Sequence, residues 1–505
     1  MLVQMISQRK SGVILGYVNI LVKNLVNLIY TPMLLSFVGQ ADYGVYQTSN
    51  SLIFSLSLLS FGFSEAYVRF YVQRKTHGTD EDILRLNGMY LLLYIVVSLL
   101  ALLLGLLFSW NAGVVFAGSF TQDQIDLVRV LMAIMSVSVA LTLFSTVFDA
   151  YILAHEQFRF QQSRQILTTL ATPVFAYLFL RMGMGAAGVA IAQLLVQIVL
   201  LFLNARYAIK NLSMRFDFKH FDKALFLAIA SFSAWIFVNQ VCDLVNQSVP
   251  NILLGALTSA TAVSVFAVAV NIRQVFYSLS TTISNVFVPK INQIVAESDD
   301  NEALTHLMTN VGRYQMVLFC WVYGGFVLLG RYFISVWAGE GFSDAYWLVL
   351  AMTLPVMVPL CQNTGIEIQR AKNKHKARSI VYLCMAGLNV VFTIVASPAI
   401  GYWAPAIAYI LSIALGNGVF MNWYYQKHIG LDMLYFWRRN VPIIISTAIV
   451  TSLCCLGSGV LSVNGIVSFI GWGLLYSAIF LASLWLFVLD QDEKKAFVGK
   501  LPFLR

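Results

Sequence analysis

Charge is what this sequence has least of. Asp, Glu, Lys and Arg make up 11% of its 505 residues, less than half the share of about 25% found in soluble domains. With 59% hydrophobic residues, it lacks the polar groups to cover a water-facing globule, which excludes an ordinary soluble fold and points to an all-α polytopic membrane protein. Cysteine is sparse too. Cys242, Cys320, Cys361, Cys384, Cys454 and Cys455 all fall in apolar runs without a C-x-x-C pair, so neither a disulfide framework nor a zinc site is indicated. The histidines, His77, His155, His220, His306, His375 and His428, stand in or beside polar connections, which leaves no histidine metal cluster and no intramembrane histidine relay to expect.

Long apolar runs are abundant. A bilayer crossing takes about 20 mostly apolar residues, and fourteen runs qualify, approximately 13–38, 44–68, 86–108, 125–154, 163–181, 185–205, 224–250, 258–289, 307–336, 343–369, 379–399, 402–426, 441–459 and 463–489. Arg9 and Lys10 precede a first run that is too long for a signal peptide and lacks a small-residue cleavage site, so it is expected to remain as an anchor.

The basic residues orient this map. Of 32 lysines and arginines, only Arg181 and Arg331 fall in the connections of one side, and Lys23, Arg129, Arg273 and Arg313 lie within spans. The rest gather at both termini and in the alternate connections, which the positive-inside rule assigns to the cytoplasm. Both ends are therefore expected in the cytoplasm. The net charge of +9 needs no nucleic acid, because the clusters Lys372 to Arg378 and Lys427 to Arg439 read as topology signals beside anionic phospholipid. The outer connections are short. The longest, Ser109 to Gln124, holds Asp123 as its charged residue, and that from Arg331 to Asp344 holds Arg331, Glu340 and Asp344. No catalytic acid-base pair stands out, which argues against a membrane glycosyltransferase or polymerase.

The chain also repeats itself. At a shift near 220, Leu34-Leu35 and Tyr43 to Tyr46 lie opposite Leu253-Leu254 and Val263 to Phe266; near 217, Ala154 to Phe160 face Ala371 to Ala377, and Ala187 to Ala190 face Ala404 to Ile407. Two six-helix halves, 1–206 and 224–427, are expected in parallel orientation, joined by a basic connector at 207–223, with two additional helices and a tail in 428–505. A cleft between the halves is the natural substrate path.

Gly39 to Arg69, opening GQADYGVYQTSN, and Ile252 to Ile294 resemble the polysaccharide (oligosaccharide) flippase family of the multidrug/oligosaccharidyl-lipid/polysaccharide exporter superfamily, the group of O-antigen repeat-unit flippases. The resemblance implies two six-helix bundles plus two helices, alternating access, and an undecaprenyl-pyrophosphate-linked oligosaccharide moved from the cytoplasmic to the outer leaflet. It further implies a monomer without cofactor, unless a proton or sodium ion drives the step, working beside other polysaccharide assembly proteins. A multidrug or cation exporter of the same superfamily is the nearest rival, and a peptidoglycan-precursor flippase is expected to show more cavity arginines.

Charges inside spans are the candidate site. Placing Arg or Asp near a bilayer centre costs roughly 2.5 to 3.5 kcal/mol, so such residues face a cavity or a counter-charge. Asn19, Lys23 and Asn27 share a helical spacing of i, i+4 and i+8, as do Asn239, Asp243 and Gln247. Each stripe is expected to line the cleft. Lys23 and Arg273 would attract the pyrophosphate or acidic sugars, the planar arginine fork suiting phosphate; in the competing reading Asp243 pairs structurally with one of them. Glu65 and Arg69 form either an inner gate or an interfacial pair of about 0.3 to 0.5 kcal/mol. Asp149 and Glu367 either bind a coupling ion or end their helices in polar surroundings. Arg129 beside Asp126, and Arg313, read as snorkelling anchors, and Pro173, Pro355 and Pro359 as kinks.

Overall fold

The computed structural model describes the backbone of residues 2–218, 222–285, 287–374, 376–460, 463, 465–491 and 493–494, and their side chains except at 2–10, 13, 235, 236, 238, 239, 242, 243, 279, 281, 282, 285, 459 and 460. Among the described residues the regular structure is entirely helical. The helices are α1 (Leu2–Val38), α2 (Gln40–Ser55), α3 (Phe63–His77), α4 (Asp80–Trp110), α5 (Ala112–Phe116), α6 (Gln122–Ala154), α7 (Phe158–Arg181), α8 (Gly185–Arg206), α9 (Lys223–Gln247) and α10 (Val249–Leu257). There follow α11 (Ala260–Asn285), α12 (Val288–Glu297), α13 (Asn301–Trp337), α14 (Ser343–Cys361), α15 (Asn363–Ala371), α16 (Lys376–Ile400), α17 (Trp403–Ile413), α18 (Asn422–Tyr424), α19 (Met433–Val460) and α20 (Ile466–Ser483).

Twelve helices among the described residues are long and apolar enough to cross a membrane. Helices α7 and α9 occupy the other two expected positions, but α7 carries Gln161, Gln162, Arg164 and Gln165 in its first turns and falls short on hydropathy.

Local chemistry sets the breaks. Gly39, at φ 83°, separates α1 from α2, and Phe61 and Gly62 are both left-handed where a short 3-10 turn gives way to α3, so the expected second span is interrupted. Pro250 and Pro289 stand at the starts of α10 and α12, where the missing amide N–H costs nothing. Thr79 with Asp82, and Thr121 with Gln124, close capping boxes on α4 and α6. Pro173, Pro355 and Pro359 lie inside α7 and α14, and α14 ends two residues beyond Pro359.

The chain divides into two compact units, Met1–Ala267 with Val390–Tyr402, and Val268–Asn389 with Trp403–Arg505. In the first, glycines let helices touch backbone to backbone. A Cβ on Gly44 of α2 would lie 1.8 Å from the Ala260 carbonyl oxygen; beside it Asn251 donates to Ser51 Oγ at 3.0 Å. Gly44→Ala is expected to destabilise the protein by at least the 1–3 kcal/mol typical of overpacking, because the obstacle is backbone and cannot rotate away. Wild-type melting of that variant in detergent would refute the close packing. The basic connector is docked rather than free: Asp217 donates its amide to Leu84 O at 3.0 Å, and Asn87 Nδ2 donates to Arg215 O at 2.9 Å.

In the second unit α19 and α20 pack on α13, where Gly324 admits Tyr476 and Gly312 admits Phe436. Arg313 of α13 does not snorkel. It is 4% exposed, and its guanidinium grips Glu493 at 2.7 and 3.0 Å while donating to the carbonyls of Arg439 and Val488. A neighbouring pair joins Arg439 to Asp490. One backbone carbonyl within α19 and one just beyond α20 supply the acceptors that a long side chain would otherwise seek in water.

Candidate functional site

Arg273 sits near the middle of α11 and is 4% exposed. Its guanidinium lies over the Tyr409 ring of α17, 4.0 Å from the centroid, and Nη1 points at Met352 Sδ of α14 at 3.8 Å. Its Nε finds no hydrogen-bond partner among the described residues. Tyr277, one turn along the same face of α11, meets Tyr409 hydroxyl to hydroxyl at 2.7 Å, which holds the ring under the cation. A desolvated cation–π contact contributes about 2 kcal/mol, less than the cost of burying a charge, so an incoming anion would gain strongly here. One turn further along, Gln315 of α13 donates to Ser280 and Ser284, and Asn363 also reaches Ser284, extending a polar seam along this helix.

The stripe on α1 divides. Asn19 is turned in against α7, where its Nδ2 donates to Gln162 Oε1 at 3.2 Å. Lys23 and Asn27 are exposed, as is Gln247 at the end of α9. The side chains of Asn239 and Asp243 lie outside the described residues, so the alternative in which Asp243 neutralises a cation has no geometry here.

At the ends of the helices the remaining candidates are paired in other ways than their spacing suggests. Arg69 lies over the Phe232 ring, 4.5 Å from its centroid, rather than against Glu65. Asp149 accepts from Arg164 at 2.7 Å, and Arg164 also donates to Asn204, which in turn donates to Ser145 at 2.9 Å. That network ties α6, α7 and α8 together. Glu367 accepts from Arg370 one turn on, at 2.8 Å.

Just beyond α6, His155 ties that helix to α3. Its Nδ1 faces the Tyr151 carbonyl at 2.9 Å, an acceptor only, so Nδ1 carries the proton and Nε2 accepts from the Tyr71 hydroxyl at 2.9 Å. Burial holds this imidazole below its ordinary range, and Lys75 adds to the shift. A depressed histidine favours the neutral fold: its contribution is complete above the unfolded value near 6.5 and is lost as pH falls through the lower folded value. Melting of the purified protein is expected to weaken below about pH 6.5, and His155→Gln, which keeps a donor and an acceptor, to flatten that slope. An unchanged slope would remove His155 from the account.

Sequence reasoning found Arg273 by its charge inside an apolar run. It missed Tyr409, Tyr277 and Arg164, because a tyrosine or a span-end arginine in a membrane helix gives no signal until a partner helix is placed beside it.

Twelve membrane-length apolar helices among the described residues, with charges held inside them, define a multi-pass membrane protein. The solved lipid II flippase MurJ, in an inward closed conformation, is similar with a TM-score of 0.72 at 15% identity, covering 97% of this chain and 100% of that one. An inward-facing multidrug resistance MATE family transporter of the MOP superfamily is similar with a TM-score of 0.60 at 12% identity, over 80% of this chain and 94% of that one. Residues 10–295, more than half of the chain, match the polysaccharide biosynthesis protein family, and the chain belongs to it. The match includes both stretches that carried the family resemblance. The uncharacterized membrane protein EpsK of Bacillus subtilis (strain 168) is 23% identical over 487 residues, 92% of each chain.

Proposed function

We propose that this protein is a non-enzymatic flippase that carries an undecaprenyl-pyrophosphate-linked oligosaccharide, an O-antigen or related surface-glycan unit, from the cytoplasmic to the outer leaflet of a bacterial inner membrane by alternating access. Both termini are then cytoplasmic, as the basic residues require, and the protein works as a monomer. The observation that carries the reading is Arg273, a buried cation resting on a tyrosine ring with no carboxylate beside it among the described residues. Such a group recognises a pyrophosphate and repels a cationic drug, which separates this reading from that of a multidrug exporter. Lys23, an exposed cation on α1, is a second candidate for binding the anionic cargo. Asp149 and Glu367, each occupied by an arginine, serve to hold helix ends rather than to carry a coupling ion. In a host lacking its own copy, Lys23→Ala and Arg273→Ala are expected to abolish surface glycan at unchanged protein level; wild-type glycan in both would sink the site.

A further inference from the structure

A cavity lies in the second unit, where α13 passes into α14. Gly339, at φ 102°, turns the chain through a short 3-10 segment, Glu340–Phe342, and α14 begins at Ser343. The cavity has a volume of about 290 Å³, and Arg331, Ser335, Glu340, Ser343, Asp344 and Trp347 line it. Tyr346, which also lines it, is held in place by its hydroxyl, which donates to Val327 O at 2.8 Å. The Arg331 guanidinium lies 5.0 Å from the Trp347 ring centroid and 5.3 Å from that of Tyr346. Trp347 nevertheless keeps 48% of its surface exposed.

This lining discriminates among ligands. Two carboxylates accept hydrogen bonds, a guanidinium donates them and two hydroxyls do both. An anion would meet Glu340 and Asp344, and a metal ion or organic cation would meet Arg331. What matches all of them is an uncharged ring that offers donors and acceptors around its edge and an apolar C–H face to an indole. That describes a pyranose. Small-molecule sites span about 300–1,000 Å³, so a cavity of about 290 Å³ suits one or two sugar rings.

We propose that this cavity is a saccharide-binding site, in which an uncharged pyranose stacks on Trp347 and is hydrogen-bonded by Glu340 and Asp344. In its biological role the proposal rests on the flippase reading: the cavity joins α13 to α14 on the outer side, where a delivered glycan emerges, and would hold one of its sugars apart from the pyrophosphate at Arg273.

The test is binding to the full chain in lipid nanodiscs, read by saturation-transfer NMR with free glucose, galactose, N-acetylglucosamine, N-acetylgalactosamine and rhamnose. At least one sugar is expected to receive saturation at its ring protons. Trp347→Ala and the double variant Glu340→Gln/Asp344→Asn should each lower that signal at least about fivefold, since they remove the stacking platform and the acceptors. Melting of the variants, read alongside, shows that the fold is retained. Silence from all five sugars, or equal signals in both variants, overturns the proposal and leaves Trp347 and Arg331 as interfacial anchors; binding of spermidine in place of sugars overturns it in favour of a cation site. The flippase reading fails separately: surface glycan that survives Arg273→Ala, together with sugar binding that depends on Trp347, would sink the transport assignment and keep the cavity.

Discussion

Replacing Arg273 by methionine is expected to cut surface glycan at least about tenfold, equivalent to 1.4 kcal/mol or more of lost headgroup binding, while the purified protein melts at a higher temperature than wild type. The two effects have one cause. Arg273 is a buried charge among Met352, Tyr277 and Tyr409, with its Nε unsatisfied among the described residues, and exchanging a buried charged arrangement for apolar groups of similar volume is neutral or stabilising by about 1–4 kcal/mol. Methionine fits the space and removes the cost. Stability then rises as function falls, the behaviour of a residue kept for binding rather than for folding. Arg273→Lys retains the charge without the flat fork that lies on Tyr409 and should keep a minor part of the activity. Full glycan display by the methionine variant would show that the charge does not hold cargo; a large drop in melting temperature would show that it pairs with an anion and serves the fold.

Arg313→Met should do the reverse and destabilise the protein by about 3–5 kcal/mol, the usual result of removing one partner of a buried ion pair. Glu493 would lose both hydrogen bonds from the guanidinium, at 2.7 and 3.0 Å, and the carbonyls of Arg439 and Val488 would lose their donor. The pair is well shielded, at 5% and 21% side-chain exposure. Glu493→Gln should cost less, because the amide keeps one acceptor for the guanidinium. Arg313→Met/Glu493→Leu, which leaves no orphaned charge, is expected to recover part of the loss. Thermal unfolding in detergent measures all three; a methionine variant as stable as wild type would mean that the latch on the C-terminal segment contributes nothing. Glycan display in these variants should follow protein level alone.

The membrane class and the places where charge enters the apolar runs were legible in the residues alone. Burial in lipid demands long uncharged helices, and that demand acts residue by residue along the chain, so it can be read without coordinates. Its limits show at particular residues. Lys23, Asn19 and Asn27 share a helical spacing, yet Asn19 turns inward to Gln162 while the other two are exposed. Glu65 and Arg69 have the spacing of an ion pair, yet Arg69 takes the Phe232 ring. Arg313 has the position of a snorkelling anchor, yet Glu493, far along the chain, brings it inside. Spacing states which side chains share a face, and only the packing of helices decides what that face meets. In a chain this poor in charge each polar group has few partners to choose from, and tertiary structure decides among them: Arg164 and Arg313 find a carboxylate, whereas Arg273 finds an aromatic ring.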